Sequence, residues 1–466
     1  MKRDFANYET LLLEGRLVSP GLVSGTFFLH PRGCYIWESI QSFLNKEFQK
    51  LGVQNVLFPS LIPWSKFLEE QKLHNSLNLD EIIRLHSEKE NVSSAQALRP
   101  TSEILFSHYF SERIREKSEK LPILLNQWSS VYREEKNTKL LFRSKEFYWQ
   151  ELHSIHEDHQ EAREYLLKIH SIYEKLIKEI LCIYPIIGEK THLERFPGAQ
   201  ETLSHECILP DGQVLQMTTS HLLGSFFIQL MSIKNLSDKG IEKPLIQLSA
   251  GCSTRLIGAV VEMHKDELGL ILPWDLSREQ IAILFLNECS LEDIEEVSNY
   301  LKKKLDSYRL YWDKSTASFG KKINKAEKLG IPLIFVIGTE ELKNKHIVIK
   351  SRLSKEKQKV LLEDIDLEVI KQKELYKKEL LQRSKNFSDN LIEKSNNWDD
   401  LVNLIASGKV VIAPWKDSRE NELNFREKKY NFSIRCIREK SKDSINVNCI
   451  FSKQPANCLA YFGRSY

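Results

Sequence analysis

The chain has 466 residues, of which 41% are hydrophobic and 28% charged; this composition excludes a disordered or membrane-embedded protein, and the length predicts two or three domains. No run approaches the roughly 20 apolar residues of a membrane span, and no signal-peptide core precedes Glu14, so we expect a cytoplasmic protein without membrane contact. With a net charge of only +3, whole-molecule attraction to a polyanion is weak, so any nucleic-acid contact must come from local basic patches.

The predicted elements divide the chain into three parts. Long amphipathic helices mixed with strand-like runs predict one α+β domain over residues 1–273. Short apolar runs that alternate with helices predict a small α/β sheet over 274–366. A long charged helix from Leu367 then leads into a third, small α/β region, 367–466.

The first distinctive segment is a long helix followed by a strand-like run, in GCYIWESIQSFLNKEFQKLGVQNVLFPSLIP. The strand-like run extends from Val53 to Ile62 and contains Pro59. Taken alone, these residues describe a core helix followed by a turn proline.

The next segment, LRPTSE, places Thr101 and Glu103 at the start of a helix, directly after Pro100. Helix starts favour such residues because their side chains can cap free N–H groups or interact with the helix dipole. On spacing alone, a capping role and a functional role are about equally plausible.

Two strands joined by a basic loop follow. No GxxxxGK[ST] motif occurs, so a nucleotide would be held by side chains, and arginine best matches phosphate and carboxylate oxygens. Alternate residues of a strand share a face, which puts Arg133 beside Glu135 in QWSSVYREE. The same alternation groups Phe147, Trp149 and Glu151 in EFYWQE. Spacing alone favours a solvated basic hairpin.

Further along, Phe196 in ERFPGAQET and His221 in LQMTTSHLLG would, as isolated aromatic residues, belong to the core. LSAGCSTRLIGAVVEMH reads as a strand running into a helix, with Arg255 at the helix start. An arginine at such a position is most often a surface cation.

Together these strings carry a family resemblance. QWSSVYREE followed by FRSKEFYWQE closely resembles motif 2 of the class II aminoacyl-tRNA synthetases, in the version of the prolyl-tRNA synthetases. CSTRLIGA resembles motif 3, and the helix and strand ending at Pro59 resemble motif 1. The resemblance implies a class II antiparallel-sheet catalytic domain, an anticodon-binding domain and a prolyl-type C-terminal domain for the three parts.

The resemblance also implies a reaction, in which ATP with Mg²⁺ activates L-proline and the proline is transferred to the 3′ end of tRNA(Pro). Arg133, which would bridge the α-phosphate and the proline carboxylate, and Arg255, which would contact the γ-phosphate, are the implied catalytic residues. The implied ATP-binding residues are Arg133, Glu135, Arg143, Ser144, Phe147, Gln216, Thr219, Ser253, Thr254 and Arg255. The implied proline-binding residues are Thr101, Glu103, Arg133, Trp149, Glu151, Phe196 and His221.

The family likeness has further implications. Motif 1 forms a dimer interface in this family, so a homodimer is expected. The residues between Glu151 and Ser253 suffice only for the catalytic core, so we expect no editing domain in this chain. Pro197 and Met217 depart from the family pattern, which affects the dimensions of the proline pocket.

The C-terminal region resembles a domain that commonly holds zinc through four cysteines. Cys436 and Cys449 are present, but WKDSRENE contains no cysteine where two are expected, and Ser452 stands where another belongs. Because tetrahedral zinc needs four soft or imidazole ligands, we expect no structural zinc. Tyr466 matches a tyrosine that reaches toward the active site in this family.

Two alternatives stay open on the sequence. One is a synthetase of the same subclass for another amino acid, such as the threonyl enzyme, although LRPTSE and ERFPG favour proline. The other is a regulatory or accessory relative without catalysis, against which the retained Arg133, Glu135 and Arg255 argue.

Overall fold

The computed structural model describes residues 7–73, 78–85, 95–236, 240, 242–354, 356–441 and 445–466. The α-helices are α1 (Tyr8–Glu14), α2 (Pro31–Lys50), α3 (Trp64–Leu73), α4 (Glu103–Arg115), α5 (His159–Lys175), α6 (Phe226–Leu230), α7 (Arg255–His264), α8 (Leu291–Lys304), α9 (Phe319–Lys328), α10 (Thr339–Lys343), α11 (Ile365–Leu391), α12 (Trp398–Ala406) and α13 (Arg419–Glu427). Among the described helices, none combines the length and the apolar character needed to span a lipid bilayer.

The strands of the first part of the chain are β1 (Val18–Pro20), β2 (Phe27–Leu29), β3 (Gln54–Val56), β4 (Leu61–Pro63), β5 (Arg84–Leu85), β6 (Gln96–Leu98), β7 (Ile123–Tyr132), β8 (Glu146–His156), β9 (Ile186–Glu189), β10 (Glu201–Ile208), β11 (Gln213–Gly224), β12 (Asn235–Leu236), β13 (Glu242–Lys243) and β14 (Ile246–Ser253). The later strands are β15 (Ile281–Phe285), β16 (Leu310–Asp313), β17 (Leu333–Ile337), β18 (His346–Ser351), β19 (Lys357–Leu361), β20 (Ile392–Lys394), β21 (Val410–Trp415), β22 (Ser433–Lys440) and β23 (Cys458–Ser465).

The largest sheet has eleven strands in the order β20-β21-β23-β22-β9-β10-β11-β14-β8-β7-β3. Its central strands, from β9 to β7 in that order, pair antiparallel, and β3 pairs parallel to β7 at the edge. Apolar side chains of α2, α5 and α7 pack together with residues of this sheet in one large core. The α+β fold class predicted from the sequence is confirmed.

The single strand-like run predicted from Val53 to Ile62 is wrong. The chain forms two short strands there, and they belong to different sheets: β3 pairs with β7, whereas β4 pairs with β6. Pro59 lies between them. Since proline has no N–H to donate, it removes a hydrogen bond from a strand ladder.

A second sheet, in the order β16-β15-β17-β18-β19, lies within the region predicted to be a small α/β sheet. Its first three strands are parallel, and the last two join antiparallel. Apolar residues of α8 and α9 contribute to two different core clusters that share the strands β15 and β17, which is the layered packing expected of an α/β sheet.

The C-terminal strands extend the large sheet. Strand β22 pairs antiparallel with β9 through Ile437 and Glu189, and β23 pairs parallel with β11 at Gln213 and Arg464. Helices α12 and α13 pack on these strands in a core of their own, which includes the buried Trp415. The C-terminal region is therefore joined edge to edge with the sheet that carries the candidate site.

Candidate active site

A cavity of about 280 Å³ lies over the large sheet. Residues of β8, β10, β11 and β14 line it, together with the loops that follow β7 and β9. Eleven of the predicted site residues meet there, namely Glu103, Arg133, Phe147, Trp149, Glu151, Phe196, Gln216, Thr219, His221, Ser253 and Arg255.

The predicted hairpin is formed by β7 and β8. Their register sets Ser129 opposite Trp149 and Val131 opposite Phe147, so the two rings occupy one face, as the alternation predicted. The Arg133 guanidinium carbon lies 5.4 Å from the Phe147 ring centroid and 5.2 Å from that of Trp149. Arg133 Nε and Nη2 each donate to the Pro100 carbonyl at 3.1 Å, which fixes the plane of the guanidinium.

Glu103 and Glu151 form a buried pair of acids in the cavity wall. Thr101 Oγ1 donates to Glu103 Oε2 at 2.5 Å and to Glu151 Oε1 at 3.3 Å. Burial and the neighbouring charge of Glu151 raise the pKa of Glu103 to about 8, and burial likewise raises the pKa of Glu151. Two adjacent carboxyl groups with raised pKa values favour a cationic ligand, which lets both ionise.

LRPTSE does not cap helix α4 through the side chain of its N-cap residue, although Glu103 stands in the first turn of the helix. Helix α4 begins at Glu103 with Ser102 at its N-cap, and Ser102 makes no side-chain cap bond. Its hydroxyl instead donates to Glu151 Oε2 at 2.5 Å, and its main-chain N–H donates to Glu151 Oε1 at 3.0 Å. The segment therefore holds the acid pair in place.

Arg255 begins α7, as predicted, but it is not a surface cation. Its Nε and Nη2 donate to the Phe142 carbonyl at 3.3 and 3.1 Å, and Nη1 donates to the Gln216 carbonyl at 3.3 Å. Burial, and then the charges of Arg133 and Arg143, lower the pKa of Arg255 to about 10. The group stays cationic at neutral pH, so the cavity carries two fixed guanidinium groups.

Phe196 and His221 form an aromatic wall, with ring centroids 5.0 Å apart. Strand pairing sets Thr202 opposite His221, and its Oγ1 lies 3.0 Å from His221 Nδ1. Burial lowers the pKa of His221 to about 3, so the imidazole is neutral. The wall is thus uncharged and suits an apolar ring.

Five predicted residues do not line the cavity: Thr101, Glu135, Arg143, Ser144 and Thr254. Thr101 is linked to it through the contacts of its hydroxyl with Glu103 and Glu151. Arg143 lines an adjoining space of about 200 Å³, where its Nη2 donates to the main-chain oxygen of Tyr466 at 2.7 Å. Ser144 and Thr254 are buried beside the site.

The cavity also contains residues that the sequence reasoning missed. His153 follows Glu151 by two positions on β8, so the strand alternation extended by one step would have found it. Gly251 lies directly against Trp149, because a Cβ at this position would contact the indole Nε1. No local pattern indicates that contact.

Among the described residues, no group of three or more His, Cys, Asp or Glu side chains is arranged to hold a metal ion. In the C-terminal region, the Asn421 Nδ2 amide lies 3.5 Å from Cys449 Sγ and donates to it. Burial and the charge of Asp417 raise the pKa of the Cys458 thiol, which opposes thiolate formation.

Comparison with known proteins finds three family matches along the chain. Residues 85–264 match the family described as tRNA synthetase class II core domain (G, H, P, S and T), residues 280–372 match an anticodon binding domain, and residues 398–466 match prolyl-tRNA synthetase, C-terminal. The chain is 34% identical to the proline–tRNA ligase of Malacoplasma penetrans, covering 100% of this chain and 98% of that protein. It is 36% identical to the corresponding ligase of Mycoplasma capricolum, over 99% and 97%.

Two solved structures are similar to this chain over nearly its whole length. A prolyl-tRNA synthetase from Cryptosporidium parvum complexed with halofuginone and AMPPNP superimposes with a TM-score of 0.91 at 26% identity, covering 100% of this chain and 97% of that one. The same enzyme complexed with L-proline and AMP gives a TM-score of 0.89 at 27% identity, over 98% and 97%.

Proposed function

The chain belongs to the prolyl-tRNA synthetases, and from this premise we propose that its cavity activates L-proline with ATP and passes the proline to tRNA(Pro). One observation carries the assignment of the site. Two fixed guanidinium groups, a pair of buried acids and an uncharged aromatic wall line one cavity of about 280 Å³. These are the groups needed for a carboxylate and phosphates, a secondary ammonium, and a compact apolar ring.

The chemistry follows from these charges. A proline carboxylate oxygen attacks the α-phosphorus of ATP, the bond from that phosphorus to the bridging oxygen breaks, and pyrophosphate leaves. Negative charge builds up on the phosphoryl oxygens, and Arg133 and Arg255 stabilise it without a proton transfer. Glu103 and Glu151, held by Thr101 and Ser102, accept hydrogen bonds from the proline ammonium. The 3′-terminal hydroxyl of tRNA then attacks the activated carbonyl, and AMP leaves.

The deciding experiment is amino-acid-dependent exchange of pyrophosphate into ATP with the purified protein, run across all amino acids. Exchange above background is expected with proline. Absence of exchange with proline would refute the proposal. Preferential exchange with threonine would indicate a synthetase of the same subclass for another amino acid.

The contact between Gly251 and Trp149 gives a test of the pocket wall. In Gly251→Ala the new Cβ would lie 2.9 Å from the Gln150 carbonyl oxygen and closer still to the indole, so Trp149 has to move. We expect kcat/KM for proline in the exchange assay to fall by roughly tenfold to a hundredfold. Gly320→Ala is the matched control, because nothing lies within 4 Å of its added Cβ. Parental kinetics in Gly251→Ala would mean that the position of Trp149 does not limit the reaction.

We further propose that Mg²⁺ enters with ATP. Mg²⁺ is usually held by one or two carboxylates together with substrate phosphates, and Glu135, whose charge acts on Arg133, is the candidate carboxylate in this chain. The metal would neutralise phosphate charge.

For zinc, elemental analysis of the purified protein is expected to give far less than one equivalent, since Cys449 binds the Asn421 amide and Ser452 cannot replace a thiolate. About one zinc per chain would contradict this prediction.

We propose that the chain has three domains: a catalytic domain over 1–273, an anticodon-binding domain over 274–366 and a C-terminal domain over 367–466. Exposed lysines in the last turn of α8 and on α9 offer positive charge to tRNA phosphates, namely Lys302, Lys303, Lys321 and Lys325. The proposed compartment is the cytoplasm, because tRNA charging supplies the ribosome.

We also propose a homodimer formed through motif 1. In support, β3 is an edge strand of the large sheet, and Leu57 after it is 79% exposed. Sedimentation is expected to give about twice the 54.4 kDa of the chain, and Leu57→Asp is expected to shift the protein toward monomer. Leu291→Asp, at a site 85% exposed in α8, serves as the control. A monomeric parent would refute the dimer.

A further inference from the structure

The loop of residues 190–200, between β9 and β10, carries Phe196 of the aromatic wall. Arg195 ties the two ends of this loop together: its Nε donates to the Lys190 carbonyl at 3.2 Å, and its Nη1 donates to the Gln200 carbonyl at 2.8 Å. With the ends closed in this way, the position of Phe196 depends on the contacts made by the residues between them.

Helix α13 of the C-terminal region contacts the loop at Thr191 and Leu193. Glu422, which is only 2% exposed, accepts hydrogen bonds from Thr191 Oγ1 at 2.6 Å and from the Leu193 main-chain N–H at 3.0 Å. One carboxylate thus uses both oxygens on the loop. Hydrogen bonds to a charged group contribute more than neutral ones, and leaving such a buried group without partners is costly.

Two further contacts come from the same C-terminal region. Lys190 Nζ donates to the Arg435 carbonyl of β22 at 2.9 Å. Arg426, one turn after Glu422 on α13, donates to Glu194 Oε1 at 2.8 Å, and Glu194 itself lines the proline cavity. The Arg426 pair is largely exposed and contributes little, so Glu422 is the principal contact.

We propose that Glu422 is a positioning residue for proline recognition, through which the C-terminal domain sets the place of Phe196. This inference rests on the proposed function. Glu422 does not line the cavity and takes no part in the chemistry. Its contribution is to hold the loop in the conformation in which Phe196 packs against His221, so it should affect proline binding and leave ATP binding nearly unchanged.

The test compares substitutions on the two sides of this contact by pyrophosphate exchange. In Glu422→Gln the amide has only one acceptor oxygen for two donors, and Thr191→Val removes the hydroxyl donor while keeping the shape. Both variants are expected to raise the KM for proline about fivefold to twentyfold, with the KM for ATP changed less than twofold. Thr191→Ser keeps the hydroxyl and should retain the parental KM. Glu420→Gln, an exposed acid on the same helix, is the matched control.

Thermal unfolding of each variant separates this role from general stability. The double variant Thr191→Val/Glu422→Gln should be no worse for proline than the more severe single variant, since both remove the same contact. A KM for proline within twofold of the parent in both single variants would overturn the inference, as would a parallel rise in the KM values for proline and ATP. If the parent itself lacked proline-dependent exchange, the proposed function would fail and this inference with it.

Discussion

Arg133→Ala is expected to lower proline-dependent pyrophosphate exchange by about a thousandfold while leaving the fold intact. Arg133 presents a planar fork fixed by the Pro100 carbonyl and by two aromatic rings, in the position that we propose for the substrate carboxylate and the α-phosphate. Removing it takes away both the orientation of the carboxylate and the compensation of developing negative charge. Exchange rates and thermal unfolding of the purified variant measure the two expectations separately.

Two further variants test whether the loss is specific to the guanidinium of Arg133. Arg133→Lys keeps a positive charge but cannot bind both groups in one plane, so it should recover only a small part of the activity. Arg278→Ala removes an arginine whose side chain is 49% exposed and should behave as the parent. Near-parental exchange in Arg133→Ala would mean that the α-phosphate contact has been assigned to the wrong residue.

The second large effect is expected from Glu103→Gln. The substitution keeps the size of the side chain and removes the negative charge that we propose to face the proline ammonium. A hydrogen bond to a charged group contributes about 1.5–3 kcal/mol, which corresponds to a rise in the KM for proline of roughly tenfold to a hundredfold. The KM for ATP should change little. Glu112→Gln, a partly exposed acid on the same helix α4, is the control.

The raised pKa of Glu103 adds a pH dependence to this prediction. Burial and the charge of Glu151 raise its pKa to about 8 in the empty cavity, so below that pH the carboxyl carries a proton that must leave when proline binds. The KM for proline of the parent should therefore fall as pH rises from 7 through 8. In Glu103→Gln this part of the profile should flatten. A parental KM independent of pH over this range would contradict the coupling.

Local sequence patterns could predict the parts of the site that lie on single strands and helices. Strand alternation correctly grouped Phe147, Trp149 and Glu151, because cross-strand pairing keeps alternate side chains on one face. The same alternation, extended by one step along β8, also predicts that His153 lies on this face. For Arg255 the local pattern predicted a surface cation, which is wrong. The carbonyl groups that bind its guanidinium come from Phe142 and Gln216, far away in the chain.

Contacts between distant segments were out of reach for a different reason. Thr191 and Glu422 are 231 positions apart, and neither has a local pattern that names its partner. The approach of Trp149 to Gly251 depends on the register of β8 with β14, which periodicity does not specify. The family resemblance supplied the substrate, but it said nothing about the pairing of β22 with β9.

The sheet that runs from β20 to β3 has a consequence for the order of folding during synthesis. While residues 1–400 are being made, β9 lacks its later neighbour β22, and an unpaired edge strand can pair with another chain. The strand that joins β21, β22 and the start of β11 is β23, which is synthesised after all three of them. Nascent chains stalled between residues 255 and 458 should therefore aggregate or recruit chaperones, although every residue lining the candidate cavity has already been made.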